Sequence, residues 1–99
     1  MSELPDRREC DRIRFTHGGI RYYATIGYAP NGRPSEVFLE AGKVGSEIQA
    51  LARDLAVVAS RALERGDTVE GIRCSLTRLE KDKPAGPLAA LLDKIAEGA

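Results

Sequence analysis

The sequence predicts an α+β domain: a three-stranded antiparallel β-meander packed on one long helix, completed by two shorter C-terminal helices. Three observations carry that expectation. Apolar and polar residues alternate through the first part of the chain, the period of half-buried strands. From Ser46 the apolar residues recur instead at i, i+3, i+4 and i+7, the period of an amphipathic helix. Glycine-bearing turns separate the strands, and Gly66 stands where the long helix should stop.

In the first strand Ile13 and Phe15 alternate with Arg12, Arg14 and Thr16. In the second, Ile20, Tyr22, Ala24 and Ile26 alternate with Arg21, Tyr23 and Thr25, which places one tyrosine in the core and its neighbour outside. His17-Gly18-Gly19 reads as the hairpin turn between them. Asn31-Gly32 predicts a second hairpin of type I′, because both central residues of that turn need positive φ. Glu36 to Glu40 is then the third strand. The long helix is expected from Ser46 to Arg65, with Ser46 and Gln49 as a capping box and Ile48, Leu51, Ala52, Leu55, Val58, Ala59, Ala62 and Leu63 as its buried stripe. Ala50 and Val57 fall on the opposite face and suggest a second contact surface. Asp67 is read as the cap of a second helix with Glu70 at N3, and Pro87 as the first residue of a third that carries Leu88, Leu91, Leu92 and Ile95. The expected organisation is a flexible N-terminus over 1–11, a domain over 12–79, a linker over 80–86 and a C-terminal helix over 87–99 packed on the domain or on a partner.

A chain of 99 residues holds one modest core and leaves no room for a second, catalytic domain. Fifteen basic residues balance fifteen acidic ones, which argues against a broadly basic nucleic-acid surface. The longest purely apolar run is Leu55 to Ala59, far short of a membrane span, and the charged start MSELPDRREC is not that of a secretory signal. Cys10 and Cys74 stand apart without metal-ligand spacing, which suits a reducing, cytoplasmic location and predicts no metal site.

The Gly42-Lys43-Val44-Gly45-Ser46 loop joins strand to helix. Backbone N–H groups of such a loop, the helix N-terminus, the Lys43 ammonium and the Ser46 hydroxyl together suit an anion or phosphate. The alternative reading is a sharp turn plus a helix cap, with Ser46 already committed to the backbone. Arg33, at the other end of the third strand, is the remaining candidate for a binding edge. Cys74 is the redox candidate; a lone cysteine on an apolar-patterned helix also reads as core filler. His17 reads as a turn residue, and no arrangement of nucleophile, base and orienter predicts a catalytic centre.

The run NGRPSEVFLEAGKVGS, from Asn31 to Ser46, followed by a long helix and by Gly71-Ile72-Arg73-Cys74, resembles the TSCPD domain. This small module occurs near the C-terminus of vitamin B12-dependent (class II) ribonucleotide reductases and also as short stand-alone proteins. The resemblance implies a link to deoxyribonucleotide synthesis, with adenosylcobalamin belonging only to the full-length reductases and no cofactor expected on this chain. Where family copies often carry Cys after Gly-Ser this chain has Glu47, Ser75 follows Cys74 in place of the usual Pro, and no cysteine lies beyond Leu79. A redox relay is therefore not expected. The resemblance and the lack of catalytic residues imply a non-catalytic interaction or accessory module, a homodimer or a subunit docked on a protein such as a reductase large subunit. The alternatives are a fragment subunit of a split ribonucleoside-diphosphate reductase and, more weakly, nucleotide or nucleic-acid binding through the Gly42–Ser46 loop.

Overall fold

The computed structural model describes residues 10–42 and 46–97. Strands β1 (Cys10–His17), β2 (Ile20–Tyr28) and β3 (Pro34–Ala41) form one antiparallel sheet in the order β1-β2-β3. Helices α1 (Glu47–Glu64), α2 (Val69–Ser75) and α3 (Pro87–Ala96) follow. The expected α+β meander is the observed fold. Residues 10 and 11, assigned from sequence to the N-terminal segment, pair with Gly27 and Ile26, and the Tyr28 hydroxyl donates to Asp11 at 2.6 Å.

Pleating sends Phe15, Tyr22, Ala24, Ile26, Val37, Leu39 and Ala41 to one face, where they meet both long helices. Phe15 and Tyr22 stack there with ring centroids 5.4 Å apart. Helix α1 runs along the edge strand β3, and α3 fills the remaining space, with Leu91 and Leu92 fully buried. The third helix is thus part of the core. Among the described residues nothing covers the opposite face of the sheet, which presents Arg12, Arg14, Tyr23 and Phe38.

The turn between β1 and β2 has positive φ at Gly18 and Gly19, as a two-residue primed turn demands. The Asn31-Gly32 turn differs from its expected I′ form. Gly32 N–H donates to Ala29 C=O at 2.8 Å and Ala29 N–H to Arg33 C=O at 2.8 Å, with positive φ at Gly32 and not at Asn31. The turn is centred one residue earlier, on Pro30-Asn31, because proline's fixed φ suits the first central position of a type I turn and Gly32 then takes the left-handed bulge position.

Helix α1 has the predicted ends, with the Ser46 hydroxyl accepting from Gln49 N–H at 3.0 Å and Arg65 as C-cap. Its buried face overlaps the predicted stripe only at Ala52, Ala59 and Leu63. Ala52, Ala56, Ala59 and Leu63 face the sheet, while Ile48, Leu51, Leu55 and Val58 are exposed. The reason is Ser60. Its hydroxyl accepts from Val37 N–H at 2.8 Å and donates to Val37 C=O at 2.9 Å, closing the edge of β3. Those two bonds fix the rotation of α1, and alanines on the inner face let the helix approach that closely.

Helix α2 is capped by Thr68, whose hydroxyl accepts from Gly71 N–H at 2.9 Å; Asp67, the expected cap, accepts instead from Thr68 N–H at 3.0 Å. Gly71 belongs to this arrangement, since a Cβ there would lie 2.9 Å from Asp67 Oδ1 and 3.1 Å from Thr68 Oγ1. The helix ends at Ser75, and the segment read as a linker folds back as a tight turn around Lys81-Asp82, bridging Arg78 to Pro84. Lys81 and Asp82 both take positive φ, 62° and 61°, the backbone of a primed turn without its usual glycine.

Candidate interaction surface

Of the sequence-predicted binding residues the structure describes Gly42, Ser46 and Arg33. Gly42 closes β3, its N–H donating to Arg21 C=O at 2.8 Å, and the Ser46 hydroxyl serves as the α1 cap. Lys43 and Gly45 lie outside the described residues. Arg33 precedes β3 whereas Gly42 follows it, and the intervening strand holds them about 30 Å apart at about 3.3 Å per residue. Arg33 and Gly42 therefore stand at opposite ends of β3. Its guanidinium reaches Asp67 C=O at 3.4 Å, beside a shallow trough of about 380 Å³ between the start of β3 and the ends of α1 and α3.

Cys74 is exposed on α2, not core filler, and its thiol donates to Glu70 Oε2 at 3.1 Å. That hydrogen bond holds the Cys74 pKa above its ordinary value and, with Arg73 beside it, the Glu70 pKa below its own. A thiol held protonated by a carboxylate is a poor nucleophile. Cys10 is also free and exposed.

Arg73, from the Gly-Ile-Arg-Cys run, has a packing role. Its Nε donates to Asp93 Oδ1 at 2.9 Å, while Arg78 grips the same carboxylate with Nη1 at 2.7 Å and Nη2 at 2.8 Å. Arg78 also reaches the carbonyls of Arg73 and Asp82. The Arg78 hydrogen bonds, with those of Arg73, lower the Asp93 pKa from 3.8 to about 2. Two cations on one carboxylate tie α2 and the Arg78–Pro84 turn to α3. Sequence reasoning had no signal for this cluster, because its members are 15 and 20 residues apart.

The feature with the clearest capacity to bind is the outer side of α1. Leu51 and Val58 are 56% and 66% exposed, and Ile48 and Leu55 are 39% and 38% exposed, so the helix turns Ala52, Ala56, Ala59 and Leu63 inward and these four aliphatics outward. Scattered exposed apolar residues are ordinary; four large ones aligned on one helix face are a contact surface. Leu55 continues that surface toward Leu76 and Leu88, beside the first turn of α3. Ala50 and Val57, from which a second contact surface was predicted, are exposed, Val57 as much as Leu51; Ile48, Leu51, Leu55 and Val58, which the periodicity alone assigned to the core, are exposed as well.

A family model of the TSCPD domain matches residues 2–97. The chain belongs to the TSCPD domain family. Curated relatives similar to this TSCPD chain are vitamin B12-dependent ribonucleotide reductases. That of Rhodopirellula baltica is 34% identical over 79 residues, covering 78% of this chain and 8% of the reductase. Those of Agrobacterium fabrum and Bradyrhizobium diazoefficiens are 31% and 27% identical, covering 85% and 87% of the chain and 6% and 7% of the reductases. This TSCPD chain thus spans less than a tenth of the length of the curated relatives it matches. No solved structure matches it.

The dependence on vitamin B12 is in the names of those full-length reductases. Among the described residues no group of three or more His, Cys, Asp or Glu could hold a metal ion. No helix among the described residues is long and apolar enough to cross a membrane.

Proposed function

We propose that this TSCPD chain is a non-catalytic accessory module that works by protein–protein contact in ribonucleotide reduction. The observation that carries the reading is the outward aliphatic face of α1, a surface with no use in an isolated monomer. Several of the polar groups are committed to the fold: Ser60 to the β3 edge, Asp93 to two arginines, and Ser46 and Thr68 to helix caps. The relation to the reductases supplies the biological setting, in which the chain contributes binding while the chemistry stays on the large polypeptide.

A second reading, a subunit of a split reductase, is favoured by the reductase relatives that match roughly four-fifths of the chain. One reconstitution separates the two. The vitamin B12-dependent reductase of the same cell is assayed for deoxyribonucleotide formation with and without this chain, and the mixture is passed over a sizing column. Co-elution with an unchanged rate supports the accessory module. A reductase that needs the chain for turnover supports the split subunit. Separate elution with identical rates contradicts both.

A further inference from the structure

We infer that the outer face of α1 is the interface of a symmetric dimer, and that its occupant is the same helix of a second copy, packed antiparallel. This rests on the reading of the chain as an interaction module and names the partner of its main surface.

The spacing is that of a helix–helix seam. Ile48, Leu51, Leu55, Val58 and Ala62 alternate steps of three and four residues, the a/d repeat that carries a stripe straight down one side of a helix pair. A strand or a loop would not need that period. The remaining, undescribed residues of this sequence add only Met1, Leu4 and Val44 as large aliphatic side chains, too few to cover such a stripe.

Charge selects the orientation. The polar border of the stripe runs Glu47, Asp54, Arg61 at intervals of one heptad and ends with Arg65, so it is acidic in the first half of α1 and basic in the second. Antiparallel packing brings Glu47 of one copy to Arg61 of the other, twice by symmetry, whereas parallel packing aligns like with like. The same register sets Leu51 against Leu55 of the second copy and Ile48 against Val58. One like-charge approach results, Asp54 with its own symmetry mate near the twofold axis. A contact built on one helix falls in the smaller interface class, below about 1,200 Å² in total, so a dissociation constant on the order of 10 µM is expected.

Sedimentation equilibrium tests the inference on the intact chain. The expected result is a concentration-dependent dimer of twice the 10.7 kDa monomer mass. Leu51→Glu and Val58→Glu should be monomeric to about 1 mM, with far-UV circular dichroism and dilute-solution melting unchanged because both side chains are exposed in the monomer. Asp54→Asn should tighten association severalfold, by relieving the like-charge approach. In a Cys10→Ser, Cys74→Ser background, Ile48→Cys mixed with Val58→Cys should form a mixed disulfide faster than either variant forms a disulfide with itself. A wild-type chain still monomeric at about 1 mM overturns the inference. So does a dimer that survives both glutamate variants, or faster crosslinking of Ile48→Cys to itself. These results are read without any reductase, so a failed dimer and a failed reductase complex are separate outcomes.

Discussion

Replacing Asp93 with Asn should remove the clamp between α2, the Arg78–Pro84 turn and α3 while keeping the side-chain shape. The drop of the Asp93 pKa from 3.8 to about 2 corresponds to about 2.4 kcal/mol favouring the ionised, folded form. The Asp93 side chain is 18% exposed, so solvent screening reduces that figure, and about 1–2 kcal/mol is the working expectation at pH 7. The substitution also leaves Arg73 and Arg78 without their shared anion, which keeps the loss from being smaller. Because the folded-state pKa is depressed, the stabilisation is complete above the unfolded value near 4 and is lost as pH falls from there toward 2. Urea unfolding of the wild type and Asp93→Asn, both in a Leu51→Glu background to exclude association, reads the difference directly. The two should differ by about 1–2 kcal/mol at pH 7 and converge near pH 2, whereas other carboxylates titrate in both and cancel. Equal stability at pH 7, or a gap that persists unchanged to pH 2, would refute the clamp.

Three further outcomes follow from particular contacts. Ser60→Ala strands the outward N–H and C=O of Val37 and should cost about 1–3 kcal/mol, lowering the melting temperature by several degrees in calorimetry. Lys81→Asn places a residue that tolerates left-handed backbone where φ is 62°, and should raise stability by a few tenths to about 1 kcal/mol in the same assay. In a Cys10→Ser background, alkylation of Cys74 near pH 8 should be slower than that of a free thiol and should accelerate in Glu70→Gln, which removes the carboxylate that keeps the thiol protonated.

What the sequence disclosed was local chemistry. The ends of α1 were legible because Ser46 with Gln49 at one end, and Gly66 at the other, each act within a few residues of the end they set. Pro87 marked the start of α3 for the same reason. The rotation of α1 was not legible, since alanine and leucine satisfy the same apolar period and the decision falls to Ser60, a contact across 23 residues of chain. A hydroxyl inside an otherwise apolar stretch was the available hint. The Asn31-Gly32 turn was found but mis-centred, because Pro30 competes for the first central position. Asp67 and Thr68 are neighbouring cap formers that composition could not rank. Lys81-Asp82 lacks a glycine and so gave no turn signal at all. At the candidate site, Gly42 and Ser46 behave as turn and cap, Arg33 lies at the other end of β3, and the exposed aliphatic stripe was visible only as extra core.

The most direct test of the central claim is the solvent exposure of the Leu51, Leu55 and Val58 methyl groups, read by NMR with a soluble paramagnetic probe at low and high protein concentration. Strong relaxation is expected in dilute solution, where the stripe faces water, and protection at high concentration, where a second α1 covers it. Methyls protected at every concentration would place the stripe inside the chain's own core. Methyls exposed at every concentration would leave the face without its second copy. Either result would contradict the account.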